Sequence, residues 1–113
     1  MNYEEMSDAQ IAEAVVKTIE LDLGEYWMPS ATGHGVVIIN DDDDTVRTFD
    51  PCNNPADMWP LIVENGIVVA PYRSATPEAW STAFGLAAKF HAESQNPLRA
   101  GAIVYLMMKE AGK

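Results

Sequence analysis

The first residue to test for chemistry is Cys52, the single thiol of the chain. It stands just before a sequence that starts a helix, where the helix dipole favours thiolate. His34 and His91 are available as bases and Asp50 as the group that would orient one of them. No catalytic sequence signature surrounds Cys52, however, and a free cysteine most often serves as a small buried apolar group. Two histidines and one cysteine are also too few for a structural zinc site. His34 lies in Thr32-Gly33-His34-Gly35-Val36, which resembles a phosphate-cradling loop only in its glycines. The Lys-Ser/Thr pair is missing and a strand, not a helix, follows. None of the serines has the Gly-x-Ser-x-Gly surroundings of a nucleophile elbow. The run Asn40-Asp41-Asp42-Asp43-Asp44 has contiguous acids and no following glycine. A calcium loop needs oxygens at alternate positions, a central glycine and a distant bidentate acid. Asp41 to Asp44 are therefore expected to form a solvated turn, and neither a metal nor a cofactor is expected.

The densest group of short polar side chains is Asp50, Asn53, Asn54 and Asp57, set around Pro51 and Pro55. The plain reading is local: Asn54 caps a helix and Asp50 closes a turn. The functional reading is a preorganised binding surface made of Asp50, Cys52, Asn53, Asn54 and Asp57, with Trp59 as its aromatic anchor. Met58, Leu61 and Ile62 lie at i, i+3 and i+4, so they mark the core side of this helix. Trp59 falls about 100° further round and should be partly exposed, whereas Trp27 and Trp80 read as core anchors.

These residues need elements to hold them. Ser7 caps a helix from about Asp8 to Leu23, with Ile11, Ala12, Val15, Val16 and Ile19 on one side and Gly24 as its stop. Glu25 to Gly35 reads as a loop. Val36–Ile39 and Thr45–Phe49 read as a hairpin with the acidic turn at its tip. Asn54 and Pro55 open a second helix that ends near Asn65-Gly66, with Pro60 a potential break. Ile67 to Tyr72 is a third strand. Thr76-Pro77-Glu78 repeats the cap-proline signature. A helix to about Ser94 is predicted, with Trp80, Phe84, Ala87, Ala88 and His91 on one face. Asn96-Pro97 opens the last helix, to about Ala111. The predicted fold is α+β: one mainly antiparallel three-stranded sheet covered by about four helices, in the order α-β-β-α-β-α-α.

Length and charge narrow the field further. With 113 residues, the chain reads as a single domain, 1–113. Net charge is −10, and all of it lies in residues 1 to 50. Such a field repels phosphate backbones, so direct nucleic-acid binding is not expected. The plain reading is that it keeps a small protein soluble and monodisperse; the functional readings are attraction to a basic protein surface, or mimicry of a nucleic-acid backbone. The longest apolar run, Ala100 to Met108, is shorter than the ~20 residues a bilayer span needs. The opening residues have neither a basic nor an apolar segment of a secretory signal. No membrane association is expected, and a cytoplasmic location is.

Three stretches carry a resemblance to a known family. They are Met1-Asn2-Tyr3 with Met6-Ser7-Asp8; the block from Phe49 to Asn65, centred on Cys52-Asn53-Asn54-Pro55-Ala56-Asp57-Met58-Trp59-Pro60; and Asn96-Pro97-Leu98-Arg99-Ala100 with Ile103-Val104 and Leu106-Met107-Met108-Lys109-Glu110. Together they resemble the NinX-like proteins of lambdoid bacteriophages and prophages. Gly33 to Asp44 departs from that pattern. The resemblance implies a small phage accessory protein of unknown function and supplies no catalytic residues. The foremost expectation is a non-enzymatic protein that binds a host or phage protein. The alternatives are an acidic mimic that blocks a host nuclease or restriction factor, and a small hydrolase-like enzyme.

Overall fold

A computed structural model describes residues 2–82 and 90–112. Among them are three α-helices and two three-stranded antiparallel sheets. After a 3-10 turn at Tyr3–Glu5 come α1 (Asp8–Val16), β1 (Tyr26–Pro29), β2 (Val36–Ile39) and β3 (Thr45–Phe49). They are followed by α2 (Pro55–Asn65), β4 (Ile67–Ala70), β5 (Glu78–Ser81), β6 (His91–Glu93) and α3 (Pro97–Ala111). The sheet orders are β1-β2-β3 and β4-β5-β6. The α+β class is as expected, but there are two sheets instead of one.

α1 starts with a capping box. Ser7 Oγ accepts from the Gln10 amide at 3.1 Å, and Gln10 Oε1 accepts from the Ser7 amide at 2.8 Å. Ile11, Ala12, Val15 and Val16 are buried. The helix stops at Val16, well short of Leu23. The Thr18 hydroxyl donates to the Val15 carbonyl at 2.7 Å and meets the Tyr105 hydroxyl at 2.6 Å. That takes a carbonyl out of the ladder and ties the exit to α3. Beyond it Leu23 is fully exposed, so a longer helix would have gained no burial.

The first sheet is built on β2. Val36 and Ile38 face the core, with Trp27 opposite Ile38 and Phe49 opposite Val36. β1 corrects the expected loop: Tyr26–Pro29 pairs along all of β2. Its edge position tolerates Pro29, which has no amide to give. Gly35 precedes β2 with φ +71°, and a Cβ there would lie 2.3 Å from the Phe49 carbonyl oxygen. Only glycine lets the two strands meet.

Where a helix from Thr76 to Ser94 was expected, the described residues Glu78–Ser81 and His91–Glu93 are instead strands of a second sheet. Glu78–Ser81 pairs with Ile67–Ala70 on one side and with His91–Glu93 on the other. Phe84, Ala87 and Ala88 of that expected helix lie outside the described residues. Ala79, Ser81 and Ala92 are buried on the inner face against α3. Gly101 of α3 sits where a Cβ would press to 3.2 Å on Ile62 and Val69. Small residues on both partners, Ala79, Ser81 and Ala92 on the sheet and Gly101 on the helix, let helix and sheet approach closely. The third strand also ends at Ala70, before Tyr72. The core joins α1, the inner faces of both sheets, Met58 and Ile62 of α2, and Ala100 to Leu106 of α3.

Candidate functional site

The residues singled out around Cys52 sit where three helix starts converge. Asn54 caps α2, its side chain accepting from the Ala56 amide at 3.1 Å, with Pro55 in the first helical position. Asn96 caps α3, accepting from the Leu98 and Arg99 amides. Asn53 links them. Its Nδ2 donates to Asp8 of α1 at 3.3 Å and to both oxygens of Asp50 at 3.1 Å, and its Oδ1 accepts from Asn96 Nδ2 at 3.3 Å. Asn96 Nδ2 also donates to the Cys52 carbonyl. Three positive helix ends are thereby gathered beside the carboxylates of Asp8, Asp50 and Asp57, which suits their dipoles.

Asp57 is shielded, its side chain 10% exposed. One oxygen accepts from the Asp50 amide at 2.9 Å, and the other faces Arg47 of β3 at 3.6 Å. Asp57 therefore fastens the end of β3 to the first turn of α2. Arg99, which the sequence reading passed over, is the centre of the junction's far side. Its Nη1 donates to Asp8 at 2.7 Å. Its Nη2 donates to the carbonyls of Met6 at 2.5 Å and of Tyr3 and Glu4 at 3.3 Å. An arginine fork can serve several acceptors at once; that geometry was the only available signal, and it needs the fold to be seen.

Cys52 is wholly buried. Its thiol is pushed up to about 12, first by burial, then by the negative charge of Asp8, against which Arg99 acts in the opposite direction. It therefore stays a thiol at neutral pH and offers no nucleophile. His34 is exposed in its loop and His91 lies on β6, so neither expected base is placed beside it by any described contact. A groove of about 310 Å³ between α1 and α3 is lined by Tyr3, Ala14, Lys17, Thr18, Leu106, Lys109 and Glu110. It contains neither histidine nor the cysteine.

Trp59 stands apart from its neighbours in the block. Met58 and Ile62 are buried at 0% and 3%, whereas Trp59 is 57% exposed. One turn on, Val63 is 60% exposed, so the two form an i, i+4 apolar pair on the outer side of α2. Leu61, expected in the core, is only half-buried. Pro60 stays inside the helix without breaking it.

The acidic tip is built by Asn40. Its Oδ1 accepts from the amides of Asp42 and Asp44, both at 3.0 Å. Asp41 to Asp44 are exposed, and Asp43 adopts φ +63° while accepting from the Tyr26 hydroxyl at 2.8 Å. Asp41 to Asp44 thus form the solvated turn at the hairpin tip that the contiguous acids predict.

A different cluster was hidden from the sequence. On the outer face of the second sheet, ligand atoms of Glu78, His91 and Glu93 lie within 4.8 Å of one another. Glu78 is directly opposite Glu93, and His91 Nε2 is 3.3 Å from Glu78 Oε2. The Tyr72 hydroxyl donates to Glu78 Oε1 at 3.1 Å. The sequence placed His91 at the end of an apolar helical face, and only strand pairing brings positions this far apart in the chain together.

The fold and its contacts define a small α+β protein whose marked block is first of all a helix junction. The family described as the NinX protein of bacteriophage P22 matches residues 2–109 of the 113, and the chain belongs to that family of phage proteins. No curated protein and no solved structure matches it. No helix among the described residues is long and apolar enough to cross a membrane.

Proposed function

We propose that this phage protein is an accessory factor that works by binding a protein of the host or the phage, through the outer face of α2. The observation that carries the proposal is the exposed pair Trp59 and Val63. A large aromatic ring left in water on a helix whose other side is locked in the core is a prepared anchor. The backbone beneath it is fixed by the Asn54 cap and by the left-handed Gly66 at the far end, so little ordering remains to oppose binding. Tryptophan is the residue type most often found at the energetic centre of interfaces. Asn53 and Asn54, both exposed near the helix start, supply a polar rim. A net charge of −10 favours a basic partner and speeds the encounter.

The test replaces Trp59 with a photo-crosslinking amino acid and, separately, with alanine. The reading expects a discrete partner crosslinked from position 59 in infected cells. It also expects co-purification of that partner to be lost in Trp59→Ala and Val63→Ser chains that melt like the parent. Unchanged co-purification in both variants would refute it.

A further inference from the structure

We propose that Glu78, His91 and Glu93 form a site for a borderline divalent cation of the zinc(II) class, which would staple the edge strand β6 to β5. Three features argue for it. The donor set is one imidazole and two carboxylates, the mixture that suits zinc(II) and disfavours calcium and magnesium, which take oxygen alone. The spacing fits as well. Metal–ligand bonds of roughly 2.0–2.2 Å in a tetrahedron put ligand atoms about 3.3–3.6 Å apart. The His91 Nε2 to Glu78 Oε2 distance is 3.3 Å, and all three groups fall within 4.8 Å. Glu93 is exposed, so a small side-chain rotation closes the remaining gap.

The third feature is an electrostatic one. Glu78 and Glu93 are directly opposite across the β5–β6 pair, and like charges in that position oppose the pairing. A cation between them reverses the sign of that interaction. The Tyr72 hydroxyl, 3.1 Å from Glu78 Oε1, leaves Oε2 facing His91. This is the outer-shell hydrogen bond that orients a ligating carboxylate. Two of the three donors belong to β6, a strand of three residues, so a bound ion would cross-link this short strand to its neighbour. With three protein ligands on an exposed sheet face, the ion keeps a coordination position open to water.

The experiment titrates the metal-free chain with zinc chloride by calorimetry, alongside the ¹⁵N-edited imidazole spectrum. The proposal expects one saturable site, movement of the His91 ring signals with those of His34 unchanged, and a melting temperature that climbs with free zinc. His91→Ala and Glu93→Gln, both at exposed positions, should keep the parent circular dichroism and weaken binding by at least about tenfold. A chain with Asp41, Asp42 and Asp44 changed to Asn should bind zinc like the parent. Calcium at equal concentration should not compete. The proposal is overturned if the dissociation constant exceeds about 1 mM. It is equally overturned if both ligand variants bind like the parent, if only the hairpin-tip variant loses binding, or if calcium displaces zinc one for one.

Discussion

Replacing Arg99 with methionine keeps most of the side-chain volume and removes the guanidinium that closes the helix junction. The side chain is 14% exposed and donates to Asp8 at 2.7 Å, to the Met6 carbonyl at 2.5 Å, and to the Tyr3 and Glu4 carbonyls at 3.3 Å. A hydrogen bond to a charged group contributes roughly 1.5–3 kcal/mol. The Asp8 side chain is 37% exposed, so water screens the ion pair and its share is reduced to about 1 kcal/mol. The Met6 bond adds about 2 kcal/mol, and the two longer bonds add little between them. The total is about 3 kcal/mol, near the lower end of the roughly 3–5 kcal/mol lost when one partner of a buried pair is removed. For a domain of this size it corresponds to a melting temperature lower by about 12 °C. Urea unfolding followed by circular dichroism would show a lower midpoint at unchanged slope. Arg99→Lys should recover only part of the loss, because an ammonium cannot serve Asp8 and the Met6 carbonyl in one geometry. A cost below about 1 kcal/mol for Arg99→Met would refute the assignment of Arg99 as the closing group.

Ile62→Ala should cost about 2–5 kcal/mol, since Ile62 is 3% exposed, with half-buried Leu61→Ala below it. Trp59→Ala should cost under about 1 kcal/mol; melting curves of the three variants rank them, and any other order defeats the burial argument. Changing Asp41, Asp42 and Asp44 to Asn should leave the melting temperature nearly unchanged in moderate salt, raise it at low salt, and reveal no calcium dependence. Burial pushes Cys52 up to about 12, and burial with the Glu110 hydrogen bond pushes Tyr3 up to about 12. Both groups hold their protons more tightly when folded. Their contribution is complete below their ordinary values of 9.0 and 10.0 and is lost as pH rises towards 12. Urea midpoints should therefore fall steeply above pH 9. Cys52→Ser should keep the fold and flatten that decline, and a parent thiol that reacts rapidly with iodoacetamide at neutral pH would contradict the burial.

What the sequence displayed was whatever a short stretch decides for itself. Val36–Ile39 and Thr45–Phe49 were legible from β-branched residues bounded by turn formers. α2 and α3 were legible from Asn-Pro starts, and α2 also from its closing glycine. What it concealed depends on distant partners. Tyr26–Pro29 carries Trp27 in a stretch marked by glycine and proline, and becomes a strand only because β2 offers an edge. Glu78–Ser81 carries a helix-start signature and a spacing that fits a helix, yet it pairs with Ile67–Ala70 and His91–Glu93, partners that the local stretch does not reveal. The same division holds for the sites. Trp59 was readable as exposed from its angle on α2. The Glu78–His91–Glu93 cluster was not, because its members are neighbours across strands.

The junction around Asn53 has a kinetic side. Its polar atoms come from residues 3–8, 50–57 and 96–99, and its key bonds join positions 43 to 96 apart in the chain. Each helix can nucleate alone, but the bonds among their starts need long loops closed first, at an entropic cost that local contacts do not incur. The junction should thus assemble after its helices, with mutations there speeding unfolding more than they slow folding. Once formed, it acts as a latch: for α1 to peel away, both the Asn53 bond to Asp8 and the Arg99 clamp must open together.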